Sequence, residues 1–187
     1  MKTAIYVLVF LLCGCAGHIA DMDGSHVKSD LSVMDFNGVA SRYVERPTSV
    51  GLASRKGQDA VLSVRVTRYS GEVHLILPVE HADKYIAQID KFREWHEIAT
   101  QRDDVIDKEI STLPGWGDAI GFQITASFYS AAPGRHLFVI EQCMHGCRSA
   151  STLDSFYFDI ENALKLRELL IRLKTGELQH TDMSVYQ

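Results

Sequence analysis

Two cysteines with a histidine between them are the residues of this chain best suited to chemistry: Cys143-Met144-His145-Gly146-Cys147. Reduced, the two thiolates and the imidazole are soft metal ligands, and a Cu(I) or Zn(II) site would take a further donor, for which His136 is the candidate. Oxidised, the pair closes a hairpin. A Met-His-Gly loop, with Gly146 free to take positive φ, would set the two cysteines opposite each other across it. A C-x-x-x-C spacing without a second cysteine pair is not half of a zinc knuckle, and redox pairs take C-x-x-C before a helix. We therefore expect a Cys143–Cys147 disulfide and no metal or other cofactor. So short a loop removes little unfolded-chain entropy, so the bond should contribute less than the usual ~2–4 kcal/mol.

Other candidates are weaker. His96-Glu97 opens like the H-E-x-x-H zinc motif, but Thr100 stands where the second histidine belongs. No G-x-S-x-G elbow, phosphate loop or dinucleotide fingerprint occurs. Asp103, Asp104 and Asp107 lack the glycine of a calcium loop and have Lys108 beside them, so we read them as a solvated acidic turn. Trp116 lies between Gly115 and Gly117; packing is the usual role of so large a ring, but Trp116 and His145 stand as the candidate binding residues. No catalytic residue is assigned.

The N-terminus carries a different signal. Met1-Lys2 precedes an apolar run over residues 4–12, followed by Leu12-Cys13-Gly14-Cys15. A short basic start, an apolar stretch and small residues before a cut describe a secretory signal, too short to span a bilayer. Leu12-Cys13-Gly14-Cys15 resembles the lipobox of bacterial lipoproteins. The resemblance implies cleavage before Cys15, diacylglyceryl attachment to its thiol and acylation of the new amine. With Ala16 rather than Asp after the lipidated cysteine, it further implies the periplasmic face of the outer membrane. Several acyl chains anchor far more firmly than one myristoyl chain. Cys13 would leave with the signal, so the oxidising periplasm has only Cys143 and Cys147 to join.

The organisation expected is a signal over residues 1–14, a lipidated flexible tether over 15–30, one domain over 31–175 and a mobile tail over 176–187. Such a tether reaches about 20–25 Å. A composition 46% hydrophobic is globular. A net charge of −5, with no Lys/Arg cluster interleaved with aromatics, argues against nucleic acid.

Residues 31–44 mix a short strand with a loop, and the first firm element follows the Pro-, Ser- and Gly-rich stretch over 46–57. Alternation over 60–69 and 72–79 around Ser70-Gly71 predicts a hairpin. Tyr85, Ile86, Ile89, Phe92, Trp95 and Ala99 recur at helical steps, predicting a helix over 82–102. A short strand with Val105, Ile106 and Ile110 and a turn over 113–118 come next. Strands over 119–129, 136–143 and 153–158 form a meander, and Asp159 caps a helix over 160–174 that ends at Gly176. The fold class is α+β, a mainly antiparallel sheet with both helices on one face.

The functional expectation is an anchored, non-catalytic module that binds an envelope protein, as a subunit of an envelope-spanning complex or as an inhibitor or immunity protein. The alternatives are an envelope enzyme with an unrecognised site, or a copper or zinc protein using Cys143, His145 and Cys147.

Overall fold

A computed structural model of the chain describes residues 25–53, 60–115, 121–144, 147 and 152–178. Cys13, Cys15, Trp116 and His145 lie outside them. In chain order the elements are β1 (Ser25–Val27), β2 (Val33–Asn37), β3 (Arg42–Arg46), β4 (Thr48–Ala53), β5 (Val61–Arg68) and β6 (Gly71–Pro78). A single 3-10 turn then leads into α1 (Ala82–Arg102), followed by β7 (Asp107–Pro114), β8 (Phe122–Ala132), β9 (Arg135–Met144), β10 (Thr152–Phe158) and α2 (Ile160–Thr175). The α+β reading stands. The strands form a smaller sheet ordered β1-β4-β5-β6 and a larger one ordered β3-β2-β10-β9-β8-β7. Every ladder is antiparallel.

The two sheets meet at Pro47. Proline has no N–H for a ladder, so the run from β3 to β4 bends there. The break is patched locally: the Thr48 hydroxyl donates to Arg46 O at 2.8 Å and accepts from Val33 N at 3.0 Å. Thr67 N reaches back to Pro47 O at 3.0 Å.

Both helices pack on one face of the larger sheet. Their apolar stripes meet Ile124, Ala126 and Phe128 of β8, Phe138 and Ile140 of β9, and Phe156 and Phe158 of β10. The same buried cluster takes in Leu62, Val64 and Val66 of β5 and Leu75 and Leu77 of β6, so one core serves both sheets. Arg167 of α2 holds Asp90 of α1 with two bonds at 3.0 and 3.1 Å. Gln88 ties α1 to β7 by donating to the Ser111 hydroxyl at 2.8 Å.

The start of α2 is fixed as its sequence suggests. Asp159 accepts from Asn162 N and from Asn162 Nδ2, both at 2.9 Å. Asn162 in turn accepts from Ser32 N at 2.8 Å, fastening the helix to the approach to β2. At the other end Gly176 takes φ 73°, the left-handed cap that glycine makes without strain. Asp159→Ala should lower unfolding free energy by about 1 kcal/mol, read from the urea midpoint at unchanged m-value.

The element boundaries differ from the sequence reading at several points, and β4 itself lies in the stretch over 46–57 expected to precede the first firm element. Residues 31–44 are no loop with a strand: β2 and β3 pair from Val33↔Arg46 to Asn37↔Arg42. Their turn escaped notice because it uses no Asn-Gly or Asp-Gly pair; the Asn37 side chain accepts from both Val39 N and Ala40 N, and Ser41 takes φ 48°. The strand placed around 105–110 runs to Pro114, which β7 tolerates because it is an edge strand. β8 starts later than expected and continues to Ala132, leaving Pro133 and Gly134 as the turn. Strand β1 lies within residues 15–30 and pairs with β4 from Ser25↔Leu52 to Val27↔Val50.

Candidate functional site

Because both helices lie on one side of the larger sheet, its other side is left for function. Strand alternation decides what is there. Along β9, His136, Phe138 and Ile140 face the helices, so Leu137, Val139 and Glu141 face away. Tyr129 sits opposite Leu137, and Tyr157 opposite Val139. Leu137 is 1% and Val139 5% exposed although no helix covers them. Aromatic rings do so instead. Tyr43 lies 4.9 Å from Tyr157 and 6.3 Å from Tyr129, and Phe36 lies 5.4 Å from Tyr43, ring centre to ring centre.

The Tyr43–Tyr129 contact reveals the shape of this face. Their strands, β3 and β8, are four steps apart in the sheet order, about 19 Å if the sheet were flat. The β2–β3 hairpin must therefore curl over the open face. It is free to do so because β2 joins β10 through one residue pair, Tyr157↔Met34. Burial, with the nearby phenols of Tyr157 and Tyr129, holds the Tyr43 hydroxyl well above the usual tyrosine range, and burial likewise raises Tyr157. The Tyr43 and Tyr157 phenols therefore stay neutral, giving the patch an uncharged aromatic centre with hydroxyl tips. Phe36 at its margin is 53% exposed.

Beside the patch, over β7, β8 and β9, runs a groove of about 610 Å³ lined by Asp107, Glu109, Glu141, Thr112 and Thr125. The Thr112 and Thr125 hydroxyls bond each other at 2.7 Å, and Thr112 donates to Glu109 at 3.1 Å. Burial, with Asp107 adding to it and the Ser155 hydroxyl opposing it, raises the Glu141 carboxyl.

Cys143 and Cys147 stand at disulfide distance, Cα to Cα 5.1 Å, and are joined. Joined in this way, the pair would offer neither thiolate to copper or zinc. The extra ligand proposed for such a site is also elsewhere: seven residues along an extended strand put His136 about 23 Å from Cys143. His136 faces the helices, whereas Cys143 does not. Among the described residues no three His, Cys, Asp or Glu side chains gather as a metal would require. Trp116 and His145 fall outside the described residues, but the strand ends that lead to them are neighbours. Pro114, Gln123, Cys143 and Thr152 form one row across β7 to β10.

One Ser–His contact has the look of nucleophile and base. Ser130 Oγ and His136 Nδ1 lie 3.0 Å apart. The side chains are only 7% and 3% exposed, beneath α1, and Ser130 Oγ already accepts from Ile106 N at 3.0 Å. No substrate reaches that hydroxyl, so the pair is structural.

The residues that build the open face were missed from sequence, although a signal existed. Tyr129 and Tyr157 stand out of phase with Phe128 and Phe158 of their strands, a second aromatic row on the side that should be polar. Fold and face together describe a small antiparallel α+β domain with an aromatic surface on the side of its sheet that the helices do not cover. Compared with known proteins, the chain matches no family model, no curated protein and no solved structure. No helix among the described residues is long and apolar enough to cross a membrane.

Proposed function

We propose that the protein is a lipid-anchored, non-catalytic binding module at the periplasmic face of the outer membrane, and that the open aromatic face docks an envelope protein. The observation that carries this reading is the Phe36–Tyr43–Tyr157–Tyr129 patch. Tyrosine and phenylalanine are enriched in the cores of protein interfaces, and charged groups are depleted there. Rigid aromatic side chains also lose little entropy on docking, which makes them the usual energetic centre. The lipobox-like Leu12-Cys13-Gly14-Cys15 supports the anchor and the compartment. A subunit of an envelope-spanning complex and an inhibitor of a periplasmic toxin would use the same face.

A photoreactive residue placed at Phe36, in cells carrying the full chain, tests the reading. The expected result is one dominant protein adduct, absent when the probe is moved to Glu72 on the smaller sheet. Purified, that protein should bind the wild type and lose about thirtyfold in affinity to Tyr43→Ala, the loss typical of an interface centre. Equal adducts from both positions, or an unchanged affinity, would sink the proposal.

A further inference from the structure

Phe36, Tyr43 and Tyr129 wall a hollow of about 270 Å³, closed by Ser41 and rimmed by Arg42 and Arg135. We infer that this hollow receives an acidic protein segment, with an apolar side chain inserted among the rings and its carboxylates against the two arginines. The inference rests on the protein-binding reading and narrows it to one kind of partner.

Size comes first. Small-molecule sites usually enclose about 300–1,000 Å³. A smaller hollow open beside a flat aromatic surface suits a single side chain carried on a larger partner. Charge comes second. Arg46, Arg65, Arg68, Arg93, Arg102 and Arg167 each lie against a carboxylate of the chain itself. Arg42 and Arg135 are exposed, and neither makes an ion pair with a described residue. In a chain of net charge −5, two such guanidiniums on one rim are a local reversal of sign. Arginine and tyrosine are also both enriched among the residues that dominate interface energetics. Glu45, the same-face carboxylate on β3, stands one row away opposite Met34. A partner's anionic groups should therefore lie on the Arg42–Arg135 side.

Order comes third. The turn beside the hollow is held before any partner arrives, by the two bonds that Asn37 accepts at 3.0 Å. Val39 at its tip is 100% exposed and extends the apolar contact. A pre-formed turn spares the ordering cost that weakens flexible loops as binding elements.

Two capped peptides, Asp-Glu-Leu-Phe-Asp-Glu and Lys-Lys-Leu-Phe-Lys-Lys, titrated into the full mature chain and followed by amide NMR, test this. The expected result is that the acidic peptide binds about tenfold or more tightly than the basic one. Its shifts should centre on Phe36, Tyr43, Tyr129 and Arg135. The double variant Arg42→Glu, Arg135→Glu should reverse the preference at an unchanged melting temperature, since both side chains are exposed. No binding, equal binding, an unreversed preference, or tighter binding to phosphatidylglycerol vesicles than to the acidic peptide would each overturn the inference. The photo-adduct at Phe36, scored in the same double variant, separates the two ideas: an undiminished adduct keeps the docking face and removes the acidic partner.

Discussion

Phe92→Ala should cost about 3–5 kcal/mol, the largest loss from any single truncation considered for this domain. Phe92 is fully buried on α1 and its ring lies 5.4 Å from both Phe128 and Phe138. It is thus the point at which α1 touches two central strands of the larger sheet at once. Truncation removes the transfer free energy of the ring and leaves a cavity that two strands and a helix cannot close. A domain of this size has a total stability of about 5–15 kcal/mol, so the variant should sit near the edge of folding. Urea unfolding followed by far-UV circular dichroism checks it. Trp95→Ala, three residues along the same helix, should cost less, because that side chain is only partly buried against the core. A loss for Phe92→Ala no greater than for Trp95→Ala would mean that α1 is not docked as described.

Acidification should destabilise the domain from about pH 6.5 downward, and His96→Phe should flatten that dependence. His136 of β9 and His96 of α1 pack edge to face with ring centres 5.4 Å apart, between Phe92 and Phe128. Ser130 Oγ accepts from Ile106 N and shares a hydrogen bond of 3.0 Å with His136 Nδ1. His136 Nε2 and His96 Nδ1 are both buried without a hydrogen-bond partner among the described residues. Burial lowers both histidines below their usual range. Glu97 opposes the shift at His96; at His136 the neighbouring His96 adds to it, and Asp103 opposes it.

A histidine lowered by folding binds its proton more readily in the unfolded chain. Its contribution to stability is therefore complete above the unfolded value, near 6.5, and is lost as pH falls from there toward the folded value. The slope for each histidine cannot exceed about 1.4 kcal/mol per pH unit. Glu141, raised by burial, acts the other way, its contribution being lost as pH rises; it is common to the wild type and His96→Phe, so it cancels when the two profiles are compared. His96→Phe keeps a ring against Phe92 and removes one titrating group. Its stability should match the wild type within about 1 kcal/mol at pH 7.5 and exceed the wild type's at pH 5.5. Parallel pH profiles for the two proteins would refute the assignment.

Much of the fold is local and was therefore legible. Helix α1 falls on residues 82–102, where Tyr85, Ile89, Phe92 and Ala99 repeat at helical spacing. Asp159 and Gly176 bracket α2, because a side-chain acceptor and a residue tolerant of positive φ are what helix ends require. The β5–β6 hairpin and the β8–β10 meander follow from alternation interrupted by turn residues. The cysteine pair was legible for the same reason: four residues around a glycine leave little choice of partner.

The open face was not legible, because nothing local specifies it. Phe36, Tyr43, Tyr129 and Tyr157 come from four strands and meet only once a sheet has assembled and the β2–β3 hairpin has curled over it. That curl depends on the bend at Pro47, the Thr48 hydroxyl that mends it and the single bridge between β2 and β10. Sequence alone determined both helices, the β5–β6 hairpin, the β8–β10 meander, the caps of α2 and the paired cysteines, since each is decided by residues within a few positions of one another. Tertiary structure decided which side of the sheet the helices would cover. It thereby turned tyrosines scattered along the chain into one surface, because packing against distant strands carries no period that a single stretch of sequence can display.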